Sequence, residues 1–225
     1  MTRVIQVFAR APVPGRSKTR LVPALGEPGA AALHGRLVLR VLDTLFAAQP
    51  RLRNPRVELW CAPDTTHPFF QLCIRRYPLY LRAQVGEDLG SRMQFALEDA
   101  VERQERPVLV GTDSPSITAD ALMAAFAAID AAPASGSRDA AAADIVLLPT
   151  EDGGYALIGA SRCDSSLFDA MQWSTGSVYA ESCRRIERLG WRRHALPLGW
   201  DVDRPEDLDR LRAAAPELFD ALEVR

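Results

Sequence analysis

Short apolar runs alternate with segments of helical periodicity along nearly the whole chain, and this alternation constrains the fold more than any other feature. Runs rich in β-branched and aromatic residues predict strands at residues 3–9, 56–61, 79–84, 108–110, 144–149, 155–159 and 191–197. Helical patterns lie between them at 28–48, 68–75, 89–105, 118–130 and 177–189, and again from Pro205 onward. The alternation predicts an α/β fold with a mostly parallel sheet and helices on both faces.

The length favours one large domain over two small ones, because 225 residues can bury a sizeable core as a single unit. We therefore predict one domain over residues 1–225. The small, polar stretch at 132–143 follows a predicted helix and precedes a predicted strand. It is expected to be a surface excursion rather than a linker between domains.

Charge and composition exclude several classes of partner. The net charge is −2, so no overall field favours a nucleic acid or an anionic membrane surface. No stretch approaches the roughly 18 apolar residues that span a bilayer, and no secretory leader is recognisable. The four cysteines form no C-x-x-C pair, which favours reduced thiols over a disulfide framework or a zinc site. We expect a cytoplasmic protein; the sequence carries no indication of its oligomeric state.

Four cations are concentrated in the loop RAPVPGRSKTRL, residues 10–21, directly after the first predicted strand. They are Arg10, Arg16, Lys18 and Arg20. Gly15 lets backbone amides approach an oxyanion, while the cations can neutralise phosphate charge, with Lys18 as a catalytic candidate. The loop is not a Walker A motif, because Ser17 stands where that motif needs Gly before Lys. A solvated basic turn is the alternative, but the position after the first strand favours a nucleotide site.

Three aspartates are candidates for a divalent metal site. Asp113 follows an apolar strand in the sequence GTDSP, and Asp201 and Asp203 point the same way if their segment is extended. Carboxylate oxygens suit Mg²⁺ or Mn²⁺, and two adjacent carboxylates favour a cation between them. The alternatives are an Asx turn at Asp113 and a cap for the helix after residue 205.

Two further turns carry glycine and acidic residues. The sequence EDGGY at 151–155 permits a tight turn with positive φ, but a simple hairpin needs no other function. The sequence GEDLGSRM at 86–93 is also consistent with an ordinary helix start. His34, His67 and His194 stand in unrelated contexts, so surface or helix positions are favoured over a catalytic role. In open α/β sheets, loops after parallel strands meet at one edge, where ligands bind.

Taken in order, six motifs resemble those of one known family: P-G-R-x-K-T-R-L, G-E-D-L-G-x-R-M, G-T-D-S-P, E-D-G-G-Y, W-S-T and D-V-D. This is the family of GT-A-like nucleotide-diphospho-sugar transferases labelled arsenosugar-biosynthesis-type glycosyltransferases. The chain is more distantly similar to molybdenum-cofactor and phospholactate guanylyltransferases. The resemblance extends over residues 4–208. One departure stands out: the D-x-D of glycosyltransferases is here T-D-S, which is closer to the nucleotidyltransferase pattern.

The resemblance implies a three-layer α/β/α, Rossmann-like (GT-A) domain with a metal–phosphate site at the carboxyl edge of its sheet. The implied metal ligands are Asp113, Asp201 and Asp203. The implied nucleotide-binding residues are Arg10, Gly15, Arg16, Lys18, Arg20, Gly86, Asp88 and Gly90. The implied acceptor-binding residues are Asp152, Gly153, Gly154, Tyr155 and Thr175.

Three hypotheses of function follow. The leading one is a Mg²⁺- or Mn²⁺-dependent transferase that binds a nucleotide-activated sugar and a small-molecule acceptor. The second is a nucleotidyltransferase that releases pyrophosphate from a nucleoside triphosphate. The third is a non-catalytic module that senses nucleotides, against which the intact acids at 113, 201 and 203 argue.

Overall fold

Residues 1–130 and 142–220 are described by a computed structural model in which seven strands form one sheet in the order β3-β2-β1-β4-β6-β5-β7. The strands are β1 (Arg3–Arg10), β2 (Arg56–Ala62), β3 (Tyr80–Ala83), β4 (Arg106–Val110), β5 (Ile145–Pro149), β6 (Tyr155–Ala160) and β7 (Arg193–Ala195). The helices are α1 (Val22–Ala48), α2 (Pro68–Arg76), α3 (Leu89–Glu102), α4 (Ala119–Asp130), α5 (Val178–Arg188) and α6 (Asp207–Ala214). Most of the predicted surface excursion at 132–143 lies outside the described residues.

The sheet is mostly parallel, as predicted, and one strand is reversed. β1, β2, β3 and β4 pair in parallel, and so do β5 and β7, whereas β6 runs antiparallel to both β4 and β5. The reversal follows from the short connection at 150–154, because five residues can join antiparallel neighbours but cannot make a parallel crossover. The hairpin interpretation of this turn is therefore confirmed.

Helices cover both faces of the sheet, which confirms the predicted α/β/α layers. On one face α1, α2 and α4 bury apolar residues such as Val38, Phe70 and Phe126 against the strands. On the other face α3 and α5 contribute Leu97 and Ile186. Removing this apolar surface from water stabilises the fold by about 25 cal/mol per Å².

A third apolar cluster joins α6 to the first half of α1 and fixes the segment between β7 and α6. Leu33 and Leu37 of α1 meet Leu208 and Leu211 of α6, and Val202 is fully buried among them. Because Val202 lies between Asp201 and Asp203, its burial determines where these two carboxylates stand. The cluster thus links the hydrophobic core to the candidate site.

Helix α1 begins earlier than the sequence pattern predicted. The apolar periodicity indicates a start at residue 28, but the helix extends from Val22 with a kink at Gly26, whose φ is +67°. Glycine adopts this left-handed conformation without a Cβ penalty, and Pro28 then begins the straight part of the helix. The short first turn has no apolar repeat of its own, so periodicity could not reveal it.

The sequence predicted reduced cysteine thiols and no membrane-spanning segment. All four cysteines are free, with Cys61 and Cys73 buried and the other two partly exposed. Within residues 1–130 and 142–220, no helix is both long enough and apolar enough to cross a bilayer.

Candidate active site

A pocket of about 640 Å³ opens at the carboxyl edge of the sheet. Its wall includes Arg10 at the end of β1, residues 111–114 after β4, and Thr150 after β5. The three loops that were expected to converge therefore meet here, as the topology of parallel strands requires. The start of α3 and the segment 199–203 close the other sides.

The first loop turns tightly before it reaches the pocket. The Ser17 hydroxyl accepts a hydrogen bond from the Val13 amide at 3.1 Å and donates to the Ala11 carbonyl at 2.7 Å. Gly15 occupies the tip with a φ of +71°. Ser17 occupies the position where a Walker A loop has glycine. Its hydroxyl group stabilises the turn through these two hydrogen bonds.

The four cations of this loop do not all face the pocket. Arg10 and Arg20 line it, whereas Gly15 and Arg16 are exposed at the tip and contribute nothing to its wall. Lys18 is only 5% exposed and lies beneath Asp113. The cationic surface offered to a ligand is therefore smaller than the sequence suggests.

Lys18 is held by oxygen atoms on two other segments of the protein. Its Nζ lies 2.9 Å from Oδ2 of Asp113 and donates a short hydrogen bond to the carbonyl of Val202. The backbone of Lys18 is left-handed, with a φ of +50°, which turns its side chain inward. In this arrangement the main role of Lys18 is that of a counter-ion for Asp113.

His34 completes the surroundings of Asp113. Its Nε2 is 2.9 Å from the carbonyl oxygen of Arg10, and its Nδ1 faces Oδ1 of Asp113 at 3.6 Å, too long for a hydrogen bond. Burial alone would raise the pKa of Asp113, but Lys18 and His34 outweigh it and hold that pKa below its usual range. Asp113 is therefore ionised at neutral pH, with 48% of its side chain open to solvent on the pocket side.

Segment 199–203 runs beside the loop after β4 and brings two more carboxylates to the pocket. The Val202 amide donates to the Asp113 carbonyl at 2.9 Å, and the Ser114 hydroxyl donates to the Trp200 carbonyl at 2.5 Å. Asp203 forms an ion pair with Arg20. Asp113 thus lines the same pocket as Asp201 and Asp203, which lie far from it in the sequence.

Asp201 is a pocket acid whose surroundings oppose the ionisation of its carboxyl group. Burial, the charge of Asp152 and the weaker influences of Asp203 and Asp113 raise its pKa to about 6, against a partial opposition from Lys18. The raised pKa means that the folded protein resists the ionisation of Asp201. A cation placed beside it would relieve this resistance.

Replacing Asp201 by Asn is expected to increase the free energy of unfolding at pH 8. An acid whose pKa is raised on folding weakens the folded state as the pH rises from its unfolded value near 4 to its folded value of about 6. The gain in the variant should therefore be full above pH 6 and vanish below pH 4. Urea unfolding of both proteins from pH 4 to 8 measures it.

Asp209 provides the control for this experiment, because its side chain is 96% exposed. Asp209→Asn should leave the pH dependence of unfolding unchanged. A gain at Asp201→Asn that is constant with pH would contradict the assignment of the raised pKa.

The oxygen donors at this end of the pocket suit a hard divalent cation, although no complete set of protein ligands is present. Within the described part of the chain, no three His, Cys, Asp or Glu side chains lie close enough together to hold a metal. Mg²⁺ in phosphate-transfer sites is often held by one or two carboxylates, with phosphate oxygens and waters as the other ligands. The surroundings of Asp201 oppose its negative charge. Asp201 therefore fits the role of a carboxylate ligand for the metal.

The turn after β5 forms the part of the wall next to segment 199–203, because the Glu151 amide donates to the Gly199 carbonyl at 3.1 Å. Asp152 Oδ1 accepts hydrogen bonds from the Thr150 hydroxyl at 2.5 Å and from the Gly154 amide at 3.0 Å. Asp152, Gly154, Tyr155 and Thr175 line the pocket, as the acceptor assignment requires. Gly153 does not; it packs against the backbone of Gly176 and has a φ of +85°.

The segment 86–93 contributes a helix terminus and several side chains to the pocket wall. Asp88 caps α3 by accepting from the Ser91 amide at 2.8 Å, and Arg92 donates to the Gly86 carbonyl at 2.9 Å. Asp88 and Arg92 line the pocket, whereas the two glycines do not. A Cβ on Gly90 would lie 2.6 Å from Nε1 of Trp173, so this glycine provides the space into which that indole packs.

Comparison with known proteins places the chain among bacterial relatives. It matches the family described as uncharacterized proteins conserved in bacteria (DUF2064) over residues 45–175, more than half of its length. The chain belongs to this family. No curated protein matches it.

Several solved structures similar to this family member are named as transferases, and another as a synthetase. A protein from Desulfovibrio desulfuricans G20, provisionally named a nucleotide-diphospho-sugar transferase, is 28% identical, with a TM-score of 0.78 over 99% of this chain and 97% of that one. A nucleotidyl transferase from Methanothermobacter is 12% identical, with a TM-score of 0.56 over 95% and 97% of the two chains. The synthetase of CMP:2-keto-3-deoxy-manno-octonic acid with CTP is 12% identical, with a TM-score of 0.52 over 96% and 99%.

These comparisons confirm the Rossmann-like fold and its likeness to both transferase groups named above. The finer label of an arsenosugar-biosynthesis-type glycosyltransferase stays a prediction. So do the residue roles, the Mg²⁺ or Mn²⁺ requirement and the cytoplasmic location.

Several pocket residues were missed or undervalued in the sequence. His34 was assigned to an ordinary helix position, and it does lie on α1, but it packs against Asp113. Trp173, Gln84 and Arg92 also line the pocket. The W-S-T motif pointed to Trp173, and Arg92 is the arginine of the motif G-E-D-L-G-x-R-M. The positions of His34 and Gln84 depend on tertiary packing.

Proposed function

We propose that the chain is a transferase that binds a nucleotide-activated sugar with Mg²⁺ or Mn²⁺ and transfers the sugar to a small-molecule acceptor. The observation that carries this proposal is the charge of the pocket, whose wall combines guanidinium groups with a larger number of carboxylates. The full-length likeness to a protein named as a nucleotide-diphospho-sugar transferase supports it.

Carboxylates outnumber guanidinium groups around this pocket. In the described part of the chain the acids in its wall are Glu87, Asp88, Asp113, Asp152, Asp201 and Asp203, and the guanidinium groups are Arg10, Arg20 and Arg92. A nucleoside polyphosphate would be repelled by this excess unless a cation accompanied it. The charge balance therefore supports a ligand that arrives with a divalent metal.

The number of available cations favours a diphosphate donor over a triphosphate. Of the four cations in the first loop, only Arg10 and Arg20 line the pocket, and Arg20 already pairs with Asp203. Arg16 stands outside the wall, and Lys18 is bound to Asp113. This observation gives the sugar-nucleotide hypothesis its lead.

The proposed reaction breaks the bond between the anomeric carbon of the sugar and the oxygen of the terminal phosphate. A bond forms between that carbon and a hydroxyl oxygen of the acceptor, whose proton passes to a carboxylate or to water. The nucleoside diphosphate leaves with the bonding electron pair. Charge therefore develops on the phosphate oxygen, where fixed positive groups accelerate the reaction most.

Each side of the pocket has a role in this proposal. Arg10 orients the phosphates, and Asp88 and Arg92 border the nucleoside. Asp152 uses Oδ1 for its own turn, which leaves Oδ2 for a hydrogen bond from the acceptor hydroxyl. Asp113 and Asp201 are the proposed holders of the metal, which when bound supplies positive charge to the leaving phosphate.

Arg10→Ala is expected to weaken the binding of nucleoside diphosphates about tenfold, because a charge-assisted hydrogen bond contributes about 1.5–3 kcal/mol. Binding of the bare nucleoside should change little, since it lacks the oxyanion. Isothermal titration calorimetry with Mg²⁺ present measures both affinities.

Arg16→Ala is the matched control, because Arg16 lies six residues away in the same loop but outside the pocket wall. Its affinity for diphosphates should match that of the unaltered protein. An equal loss in the two variants would mean that the loop attracts phosphate only through its general charge.

Product analysis tests the proposed reaction directly. The protein is incubated with a panel of sugar nucleotides or nucleoside triphosphates, acceptor mixtures and Mg²⁺ or Mn²⁺. Free nucleoside diphosphate from a sugar nucleotide supports glycosyl transfer. Pyrophosphate from a triphosphate overturns it in favour of nucleotidyl transfer, the candidate supported by the single acid, Asp113, after β4.

A non-catalytic sensing role is the remaining outcome of that experiment. It would be supported if nucleotides bind and raise the melting temperature but no donor is consumed with any acceptor. Binding at 100 times Kd stabilises the folded state by about 2.7 kcal/mol, so thermal shift detects it readily.

A further inference from the structure

The guanidinium group of Arg210 lies outside the pocket wall. It contacts the two segments that carry the pocket carboxylates Asp152 and Asp201. The Arg210 side chain extends from α6, and its guanidinium carbon lies 4.3 Å from the ring centroid of Trp200. Its two terminal nitrogens donate to the two carboxylate oxygens of Glu151 at 2.8 and 3.1 Å. Arginine combines a planar stack with a two-pronged ion pair in this way, and lysine cannot.

The partners of Arg210 stand directly before two pocket carboxylates. Glu151 precedes Asp152 in the turn after β5, and Trp200 precedes Asp201 in the segment 199–203. The backbones of the two segments also meet, because the Glu151 amide donates to the Gly199 carbonyl at 3.1 Å. A displacement of Arg210 would therefore loosen the contact between both carboxylate-bearing segments.

The two carboxylates need such a restraint. Asp152 and Asp201 line the same pocket, and the hydrogen bond from the Glu151 amide to the Gly199 carbonyl shows that their segments are adjacent. Two ionised carboxylates in one pocket repel each other, and this repulsion pushes their segments apart unless other bonds hold them. The contacts of Arg210 oppose that force from behind the pocket.

We propose that Arg210 is a positioning residue that holds the turn of Asp152 and the segment of Asp201 side by side through Glu151 and Trp200. The inference rests on the proposed function for its chemical consequence, which is the placement of the acceptor group relative to the metal and the donor. Arg210 itself touches no substrate in this proposal. Its effect on the reaction passes through the two carboxylates.

Arg212 offers a closely matched control on the same helix. Its guanidinium carbon lies 4.5 Å from the ring centroid of Phe219, and it pairs with Asp209 at 3.6 Å. The chemistry resembles that of Arg210, a stacked ring and one carboxylate. Neither Phe219 nor Asp209 lines the pocket.

Hydrogen exchange tests the restraint without any assumption about the reaction. In Arg210→Lys, the amides of residues 150–154 and 199–203 should exchange about fivefold faster, because the contacts that suppress local opening are lost. The amides of residues 84–92 should not change. Glu151→Gln should resemble Arg210→Lys, and Arg212→Lys should resemble the unaltered protein.

Steady-state kinetics tests the chemical consequence. In Arg210→Lys, kcat should fall about tenfold while the affinity for the nucleotide stays constant, because positioning acts on the transition state rather than on nucleotide binding. Arg212→Lys should change neither quantity. Loss of kcat and of nucleotide affinity in parallel would mean general disruption of the pocket and would overturn the proposal.

The two measurements also separate this inference from the proposed function. Unchanged exchange in Arg210→Lys, or an equal increase in Arg212→Lys, overturns the restraint whatever the enzyme does. If the unaltered protein consumes no donor, the proposed function fails, while the exchange experiment still decides whether Arg210 restrains the two segments.

Discussion

Asp113→Asn is expected to lower the rate of transfer at least about 100-fold, the loss typical when a charged group that acts on the transition state is removed. Asp113 is the ionised carboxylate that lies on the wall of the pocket directly after β4. Asparagine keeps its size but cannot hold a cation against a phosphate with full charge. Donor turnover at saturating Mg²⁺ measures the effect.

The same substitution should also lower the free energy of unfolding, because Lys18 loses the partner of its buried ammonium group. Breaking a buried ion pair costs about 3–5 kcal/mol. Since half of the Asp113 side chain is open to solvent, we expect a smaller loss of about 1–3 kcal/mol. Urea unfolding of the two proteins compares their stabilities.

The double variant Lys18→Met/Asp113→Asn separates these two effects. With the buried charge gone as well, stability should return toward that of the unaltered protein, since a neutral replacement of an ion pair is often tolerated. Turnover should stay low, because the carboxylate is still missing. Recovery of turnover in the double variant would contradict the role in the reaction that is proposed for Asp113.

Gly153→Ala is expected to have the largest effect on stability of any single methyl added near the pocket. The new Cβ would lie within 2.7 Å of three backbone atoms of Gly176, including its carbonyl oxygen. Both partners are backbone, so neither a rotamer change nor a flexible side chain can relieve the overlap. The φ of +85° adds about 1–2 kcal/mol of conformational strain.

Together these two effects should lower the free energy of unfolding by roughly 2–4 kcal/mol. Gly190→Ala is the matched control: its φ is +68°, but nothing lies within 4 Å of the added Cβ. It should show the conformational strain alone. If thermal or urea unfolding gives equal losses for both alanine variants, the close approach of Gly153 and Gly176 does not limit the turn.

The elements of the fold were predictable because their signals are local. Strand β1 is rich in β-branched and aromatic residues, and α3 has an apolar repeat over fourteen residues. The reversed direction of β6 followed from the turn at 151–154, where the hairpin interpretation was already available. The early start of α1 was missed because Gly26 interrupts the periodic pattern on which the prediction depended.

The site was predictable as a location, whereas the partners of its side chains were not. Loops after parallel strands meet at one edge, so Asp113 could be placed there from topology, whereas Asp201 and Asp203 were joined to it by metal chemistry and by the family resemblance. Which loop cations face the pocket depends on the path of the turn, and this separates Arg10 from Arg16. Lys18 faces an aspartate 95 positions away in the sequence, a contact that no local pattern encodes.

The described wall of the pocket has six carboxylates and three guanidinium groups. This excess of negative charge also affects how a ligand first encounters the pocket. A free nucleotide approaches an entrance of its own sign and is slowed, whereas its complex with a divalent metal carries less charge and is slowed less. Because the Debye length is about 10 Å at 0.1 M salt and longer in dilute buffer, this difference in association rate grows as salt is removed. If the proposed nucleotide is the ligand, the pocket discriminates between its free and metal-bound forms during diffusion, before any atom of the pocket is touched.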